Sequence, residues 1–184
     1  MPRKLKFHEQ KLLKKHNFLH YKRDTNIREL QVLRRYHIED RGDYIKYMRL
    51  VGSVQALAHR LKSLDPTDPV RISTTRSLLD KLYAKGLIPA ETSLEAVDNL
   101  TVSAFCRRRL PVVMMRVKMA ESVKAATTLI HHGHVRIGPE VVHDPAFFVT
   151  RSQEDHLTWV DESKIKRILK SYNDQLDDYD LLNA

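Results

Sequence analysis

A chain of 184 residues can form one domain of ordinary size, or one module of about 60 residues carried by an extension, but not two large independent domains. The hydrophobic fraction of 42% supports a packed core, and 30% charged residues with five glycines and seven prolines argue against a low-complexity or disordered chain. The 32 Lys and Arg residues exceed the 23 Asp and Glu residues by nine, which indicates a polyanionic partner without distinguishing nucleic acid from an acidic membrane or an acidic protein.

The charges are segregated along the chain. Residues 1–35 contain 11 Lys and Arg against 3 Asp and Glu, and residues 103–138 contain 7 against 1. The last residues, 169–184, are predicted to form an acidic tail, because four aspartates and no basic residue follow Lys170. This segregation favours a protein that lies in one orientation on a charged partner.

The N-terminal residues 3–16 predict a basic helix with a narrow apolar stripe formed by Leu5, Leu12 and Leu13. Such a helix is either an arm that lies on RNA or in a partner's groove, or a solvated surface helix, and its charge favours the arm. Its candidate RNA-binding cations are Arg3, Lys4, Lys6, Lys11, Lys14 and Lys15.

Two longer helices are predicted next. Residues 43–64 carry apolar side chains at helical spacing, namely Met48, Val51, Val54, Ala58 and Leu61. The sequence DPTDP at 65–69 ends this helix, and Ser73 is the predicted cap of a second helix that ends at Gly86. Residues 1–106 are therefore predicted to be a mainly helical extension.

The second half predicts two short helices followed by a small antiparallel sheet. The helices are expected at about 108–118 and 121–132, and the strands around Val135, at 141–142, at 147–149 and around Leu157. The predicted fold class is therefore α+β, with the helical extension followed by a compact module at 107–168.

A cluster of cations begins this module. Arg107, Arg108 and Arg109 come immediately before Leu110 and Pro111, where proline is typical of a helix start. Backbone N–H groups at a helix start and guanidinium groups both bind phosphate. Arg116, Lys118, Lys124, His132, His134 and Arg136 extend the predicted phosphate-binding surface, against the alternative of ordinary solvated charges.

Residues 110–160 resemble the S4 RNA-binding domain. The similarity lies in RRRLP at 107–111, in Ser122 and Ala126, in HGHVRI at 132–137 and in DPAFFV at 144–149. The resemblance implies that a two-helix face and the adjoining loop bind structured RNA through its backbone and shape. The contacts that it implies are Arg108, Arg109, Arg116, Ser122, Lys124, His132, His134 and Arg136.

A wider resemblance covers nearly the whole chain. KLKFHEQKLLKK at 4–15, LLDKLYAKGLIP at 78–89, FCRRRLP at 105–111 and TWVDESKIKR at 158–167 are similar to the S4-domain proteins of the U3 small nucleolar ribonucleoprotein, in the small-subunit processome. The resemblance implies a nucleolar protein that binds U3 small nucleolar RNA and helps it to pair with pre-18S ribosomal RNA. It also implies the M-phase phosphoprotein of that particle, and other processome proteins, as partners.

Several functions are not expected. The chain has one cysteine, Cys106, which excludes an internal disulfide, and no metal site formed with the histidines is expected. The apolar neighbours of Cys106 indicate a buried thiol rather than a nucleophile. No apolar run is long enough to span a membrane, and no cofactor or small-molecule substrate is expected. An enzyme is disfavoured because residues 1–100 contain no phosphate loop or dinucleotide motif. The open alternatives are a ribosomal protein of the mature small subunit and a mainly protein-binding adaptor that uses the helix at 43–64.

Overall fold

The computed structural model describes residues 3–16, 26–91 and 93–175. In these residues the helices are α1 Phe7–Lys15, α2 Ile27–Arg35, α3 Arg41–Ser63, α4 Pro69–Ala84, α5 Glu95–Asp98, α6 Val102–Cys106, α7 Leu110–Arg116, α8 Val123–His131, α9 Arg151–Glu154 and α10 Lys164–Tyr172. The strands are β1 Val135–Ile137, β2 Glu140–Val141 and β3 Leu157–Trp159. The predicted α+β class, with a helical region before a small antiparallel sheet, is confirmed. Most of the predicted acidic tail, residues 176–184, lies outside the described residues.

Helix α3 buries the face that its apolar spacing predicts, with one exception. Val51, Ala58 and Leu61 are buried, whereas Met48 is half exposed. Asp40 caps the helix by accepting a hydrogen bond from Gly42 N. The buried face of this helix therefore runs through Val51, Ala58 and Leu61, and Tyr47 rather than Met48 packs against the core at its N-terminal side.

The start of α4 corrects the prediction for Ser73. The helix begins at Pro69, and the Asp68 side chain accepts a hydrogen bond from Val70 N, so Asp68 is the cap. Ser73 lies inside the helix and donates to Val70 O at 3.2 Å. Proline in the first turn needs no hydrogen-bond partner for its nitrogen, and aspartate before it can cap, so the DPTDP sequence both ends α3 and starts α4.

The sheet has the strand order β2-β1-β3, and both pairs are antiparallel. Val135 pairs with Trp159 and Ile137 with Leu157. The strand predicted at 147–149 is wrong, because this segment forms only an isolated bridge, between Phe148 and Arg109. Residues 147–149 instead run past the start of α7 and hold it in place, with Leu110 N donating to Phe147 O at 2.9 Å.

The helical region and the sheet-containing region pack together through shared apolar clusters. Leu33 and Tyr36 are buried in one cluster with Cys106 and Val112, and Val123 packs against it. Cys106 is fully buried, as its neighbours predicted. In the described ranges α1 has no buried residue, and no helix is both long and apolar enough to span a bilayer.

Candidate nucleic-acid interface

Arg108 lies inside the molecule. Its side chain is 4% exposed, and its Nε donates to Val149 O at 2.9 Å while Nη1 donates to Glu154 Oε2 at 3.0 Å. The φ of Gly86 is +70°, and its Cα lies so close that an added Cβ would be 3.0 Å from the Arg108 guanidinium. The guanidinium is therefore enclosed by the protein on the side of the helical region as well.

Arg109 is equally buried, with 4% of its side chain exposed. Its Nη1 donates to Asp43 Oδ2 at 3.0 Å and to the Tyr47 hydroxyl at 3.3 Å, so it joins the start of α7 to α3. Burial by itself would lower the pKa of Arg109, but the hydrogen bonds and charge of Asp43 raise it overall. Arg109 therefore carries its charge inside the molecule.

These positions disfavour the predicted contact of Arg108 and Arg109 with RNA. A buried charge is tolerated only with a counter-charge and hydrogen bonds, and each guanidinium group has a carboxylate partner in the protein, although Arg108 Nη2 and Arg109 Nε have no hydrogen-bond partner among the described residues. The partners, Glu154 and Asp43, are the residues that sequence reasoning missed. No local signal could have found them, because they lie 46 and 66 positions away along the chain.

Two further predicted cations reach the surface but are paired there. Arg116 is half exposed and donates to Glu154, which therefore binds two arginines. Arg136 donates through Nη1 to Asp161 Oδ2 at 2.6 Å. Burial would raise the pKa of Glu154, but the hydrogen bonds and charges of Arg108 and Arg116 lower it overall. Exposed ion pairs contribute little, about 0–1 kcal/mol, so a phosphate could compete for either outer arginine.

Three of the predicted cations face solvent without a side-chain partner among the described residues. They are Arg107, Lys118 and Lys124. Lys118 has a φ of 63° in the turn between α7 and α8, where Lys118 N donates to Met115 O at 3.2 Å. Lys118 therefore lies exposed just after the end of α7.

The remaining predicted contacts have identifiable structural roles. Ser122 caps α8 by accepting a hydrogen bond from Ala125 N at 3.2 Å. His134 is half-buried, and its Nδ1 lies 2.9 Å from Ser163 Oγ. His132 is exposed, with its ring centroid 6.1 Å from that of His134. Among the described residues, the His132 ring has no hydrogen-bond partner and is therefore available to a ligand.

The predicted basic arm is a helix with no buried residue. All six of its candidate cations are exposed: Arg3, Lys4, Lys6, Lys11, Lys14 and Lys15. Arg3 donates to Glu9 at 2.6 Å, and Phe7 is 81% exposed. The arm therefore presents both cations and apolar side chains to solvent.

Comparison of the sequence with known proteins identifies the family of this chain. Residues 4–107 match the ribosomal protein S4/S9 N-terminal domain, and residues 108–155 match the S4 domain. The chain is 53% identical over 181 residues to the U3 small nucleolar ribonucleoprotein protein IMP3 of Saccharomyces cerevisiae, a match that covers 98% of this chain and 99% of the relative. It is 54% identical over 182 residues to the human protein of the same name, with the same coverage of both chains. The chain belongs to the IMP3 family.

The similarity extends more weakly to mature ribosomal proteins. The small ribosomal subunit protein uS4 of Hyperthermus butylicus is 30% identical over 129 residues, which cover 70% of this chain and 72% of the relative. The similarity to uS4 therefore spans a large part of this chain at lower identity. The resemblance to the S4 domain and to its U3 particle members, predicted from short motifs, is confirmed.

Proposed function

We propose that this chain is an RNA-binding component of the U3 small nucleolar ribonucleoprotein that assists pairing of U3 small nucleolar RNA with pre-18S ribosomal RNA. The observation that carries the proposal is the near end-to-end similarity, at 53% and 54% identity, to proteins named as IMP3 of that particle. We place the protein in the nucleolus, during biogenesis of the small ribosomal subunit. Its protein partners are the M-phase phosphoprotein of the particle and other processome proteins.

The distribution of available cations supports an RNA-binding role. Arg107, Lys118 and Lys124 are exposed and unpaired within the described ranges, and the arm at α1 adds six exposed cations. Phosphate binding at such cations releases counterions, which gives affinity without base recognition. His132, and Arg116 and Arg136 after release from their carboxylates, complete the RNA-facing set.

The proposed mechanism is charge neutralisation. Two RNA strands repel each other, and a basic protein that binds both lowers this repulsion. Base pairing between the two RNAs then supplies the sequence selectivity, and the protein reads the backbone and its 2′-hydroxyl groups. The mechanism requires no catalytic group, which agrees with relatives named as ribonucleoprotein and ribosomal proteins.

The first test measures the affinity of the full chain for U3 small nucleolar RNA between 50 and 200 mM salt. The test variant carries Arg107→Gln, Lys118→Gln and Lys124→Gln. If three phosphate contacts are lost, the slope of log affinity against log salt becomes shallower by about 2 to 3. A slope change of 2 corresponds to about 16-fold less loss of affinity over this fourfold salt range.

The matched control removes the same charge from an exposed part of the helical region. It carries Arg76→Gln, Lys81→Gln and Lys85→Gln on and just after α4, where all three side chains are exposed. This variant should keep a slope close to that of the unmodified chain. Equal effects of both variants would show that total charge alone controls binding, which contradicts the assigned surface.

Pairing and assembly need separate measurements. Donor and acceptor dyes on segments of U3 and pre-18S RNA should report faster annealing when the chain is added, and the acceleration should fall as salt increases. A role in the mature small subunit is the second candidate, favoured by the 30% identity to uS4. Sedimentation of tagged protein distinguishes them: the proposed function requires large precursor particles, whereas a mature ribosomal protein remains with 40S subunits.

A further inference from the structure

Helix α2 has one buried face and one basic face. Leu33 is buried and so is Tyr36, which follows the helix, whereas Arg28, Arg34 and Arg35 are exposed. At 3.6 residues per turn, positions 28 and 35 lie on the same side of the helix, about 10 Å apart along its axis. Three guanidinium groups therefore line the outer surface of a helix only nine residues long.

This helix lies against the two-helix face of the S4 domain. Leu33 and Tyr36 are buried in the cluster that contains Val112 of α7, and Val123 of α8 packs against the same cluster. Beyond the end of α2, Glu39 Oε2 lies 3.7 Å from His131 Nε2, at the end of α8. Part of the face expected to bind RNA is thus covered, and the outer side of α2 forms the molecular surface there.

Among the described residues, no carboxylate pairs with the basic face of α2. The single acidic residue of this helix, Glu29, is 4% exposed and accepts from Arg41 Nε at 2.5 Å, so its charge is directed inward and neutralised. Arg28, Arg34 and Arg35 have no side-chain partner within the described ranges. In this respect they differ from Arg116 and Arg136 of the S4 domain, which are paired.

Helix electrostatics explain only part of this pattern. Arg34 and Arg35 lie in the last turn, where cations interact favourably with the helix dipole. Arg28 lies in the first turn, where the same dipole disfavours a cation. Repulsion among the three charges adds to this cost, and a polyanion that contacts all of them would remove it. Guanidinium groups bind phosphate through two parallel hydrogen bonds, which favours a nucleic-acid backbone.

We propose that the outer face of α2 is a second binding surface for the RNA backbone, with Arg28, Arg34 and Arg35 contacting phosphates. RNA bound to Lys124 at the start of α8 would continue across α2, since α8 and α2 share a buried cluster. The helical region then binds RNA together with the S4 domain rather than only supporting it. This inference rests on the proposed function, because it extends the same RNA contact.

The test compares the full chain with the variant Arg28→Gln, Arg34→Gln and Arg35→Gln, using the same U3 RNA and salt series. The expected result is a salt slope shallower by about 2 to 3, which corresponds to about 16-fold or more over a fourfold salt range. The α4 control, Arg76→Gln with Lys81→Gln and Lys85→Gln, carries an equal change in charge and should leave the slope unchanged.

A charge-conserving variant separates the contribution of the guanidinium hydrogen bonds from that of the positive charge. The triple change of Arg28, Arg34 and Arg35 to lysine keeps the charge and should keep the salt slope, but it should lower affinity because lysine cannot make the two parallel hydrogen bonds. Salt-sensitive binding by the unmodified chain that neither α2 variant alters would overturn the α2 surface alone. Absence of salt-sensitive binding by the unmodified chain would overturn the proposed function itself.

Discussion

Replacing Arg109 with methionine should destabilise the fold rather than act first on RNA binding. The substitution keeps much of the side-chain volume but leaves the Asp43 carboxylate, which is 14% exposed, with Lys46 as its remaining cation at 3.2 Å. The Tyr47 hydroxyl also loses its partner. Breaking a buried ion pair costs about 3 to 5 kcal/mol, and the remaining lysine favours the lower end, about 3 kcal/mol. For a chain of this length, the melting temperature should fall by about 6 to 12 °C.

Urea denaturation of four proteins tests the reasoning: the unmodified chain, Arg109→Met, Asp43→Asn and the double variant. A direct contact predicts that the two single changes are not additive, with a coupling energy of about 1 to 3 kcal/mol. The result that would refute the reasoning is a stability loss below about 0.5 kcal/mol for Arg109→Met, within the range of ordinary surface changes. If such a variant also lowered RNA affinity, as is expected of changes at Lys118, Arg109 would have to face the RNA.

The same ion pair predicts an acid sensitivity. Burial by itself would raise the pKa of Asp43, but hydrogen bonds from Arg109 and Lys46, together with their charges, lower it overall. A carboxyl group with a lowered pKa in the folded state stabilises the fold fully above its unfolded value, near 3.9, and loses this contribution as pH falls through the folded value. The difference between the denaturation midpoints of the unmodified chain and Arg109→Met should therefore stay constant from pH 7 and begin to narrow below about pH 4.

Three further predictions concern backbone strain, helix capping and thiol reactivity. Gly86→Ala should cost more stability than Gly138→Ala. Both glycines have a positive φ, where an alanine costs about 1 to 2 kcal/mol, but only at Gly86 would the new Cβ press on the buried Arg108. Equal urea midpoints of the two variants would contradict this. Ser122→Ala should lose about 1 kcal/mol of stability, because it removes the cap of α8. Ser122→Asp should keep the cap but weaken RNA binding, because its carboxylate repels phosphate. Unchanged RNA affinity of the aspartate variant would place the start of α8 away from the RNA. Burial raises the pKa of the Cys106 thiol to about 11, so a disulfide reagent at pH 8 should modify it only after denaturation; rapid labelling of the native chain would show that the site opens.

Local patterns were sufficient for much of the fold. The apolar spacing of residues 43–64 predicted α3 within two residues at each end, because helical periodicity is a property of neighbouring residues. The glycine at position 86 marked the end of α4 for the same reason. The cap of α4 was misassigned to Ser73. Asp68 before Pro69 and Ser73 are both residue types that cap helices, and only the backbone of the folded chain selects between them.

The segment at 147–149 shows where local reasoning fails. Its apolar residues have the composition of a strand, yet they pair with the start of α7 rather than with the sheet. Whether an extended segment becomes a strand depends on which unpaired edge it meets, and that edge is set by distant parts of the chain. Sequence composition therefore identified an extended segment without identifying its neighbour.

The amino-acid sequence alone determined the two long helices, the helix pair that precedes the sheet, the basic character of the arm and of the S4 region, and the family, since each depends on short motifs or on local periodicity. Only the tertiary structure decided which arginines are available to RNA. Arg107, Arg108 and Arg109 are identical in type and adjacent, yet one is exposed and two are buried. The physical reason is that burial of a guanidinium requires a carboxylate in the right place. Glu154 comes from a distant part of the S4 domain, and Asp43 reaches Arg109 only when the helical region folds against that domain.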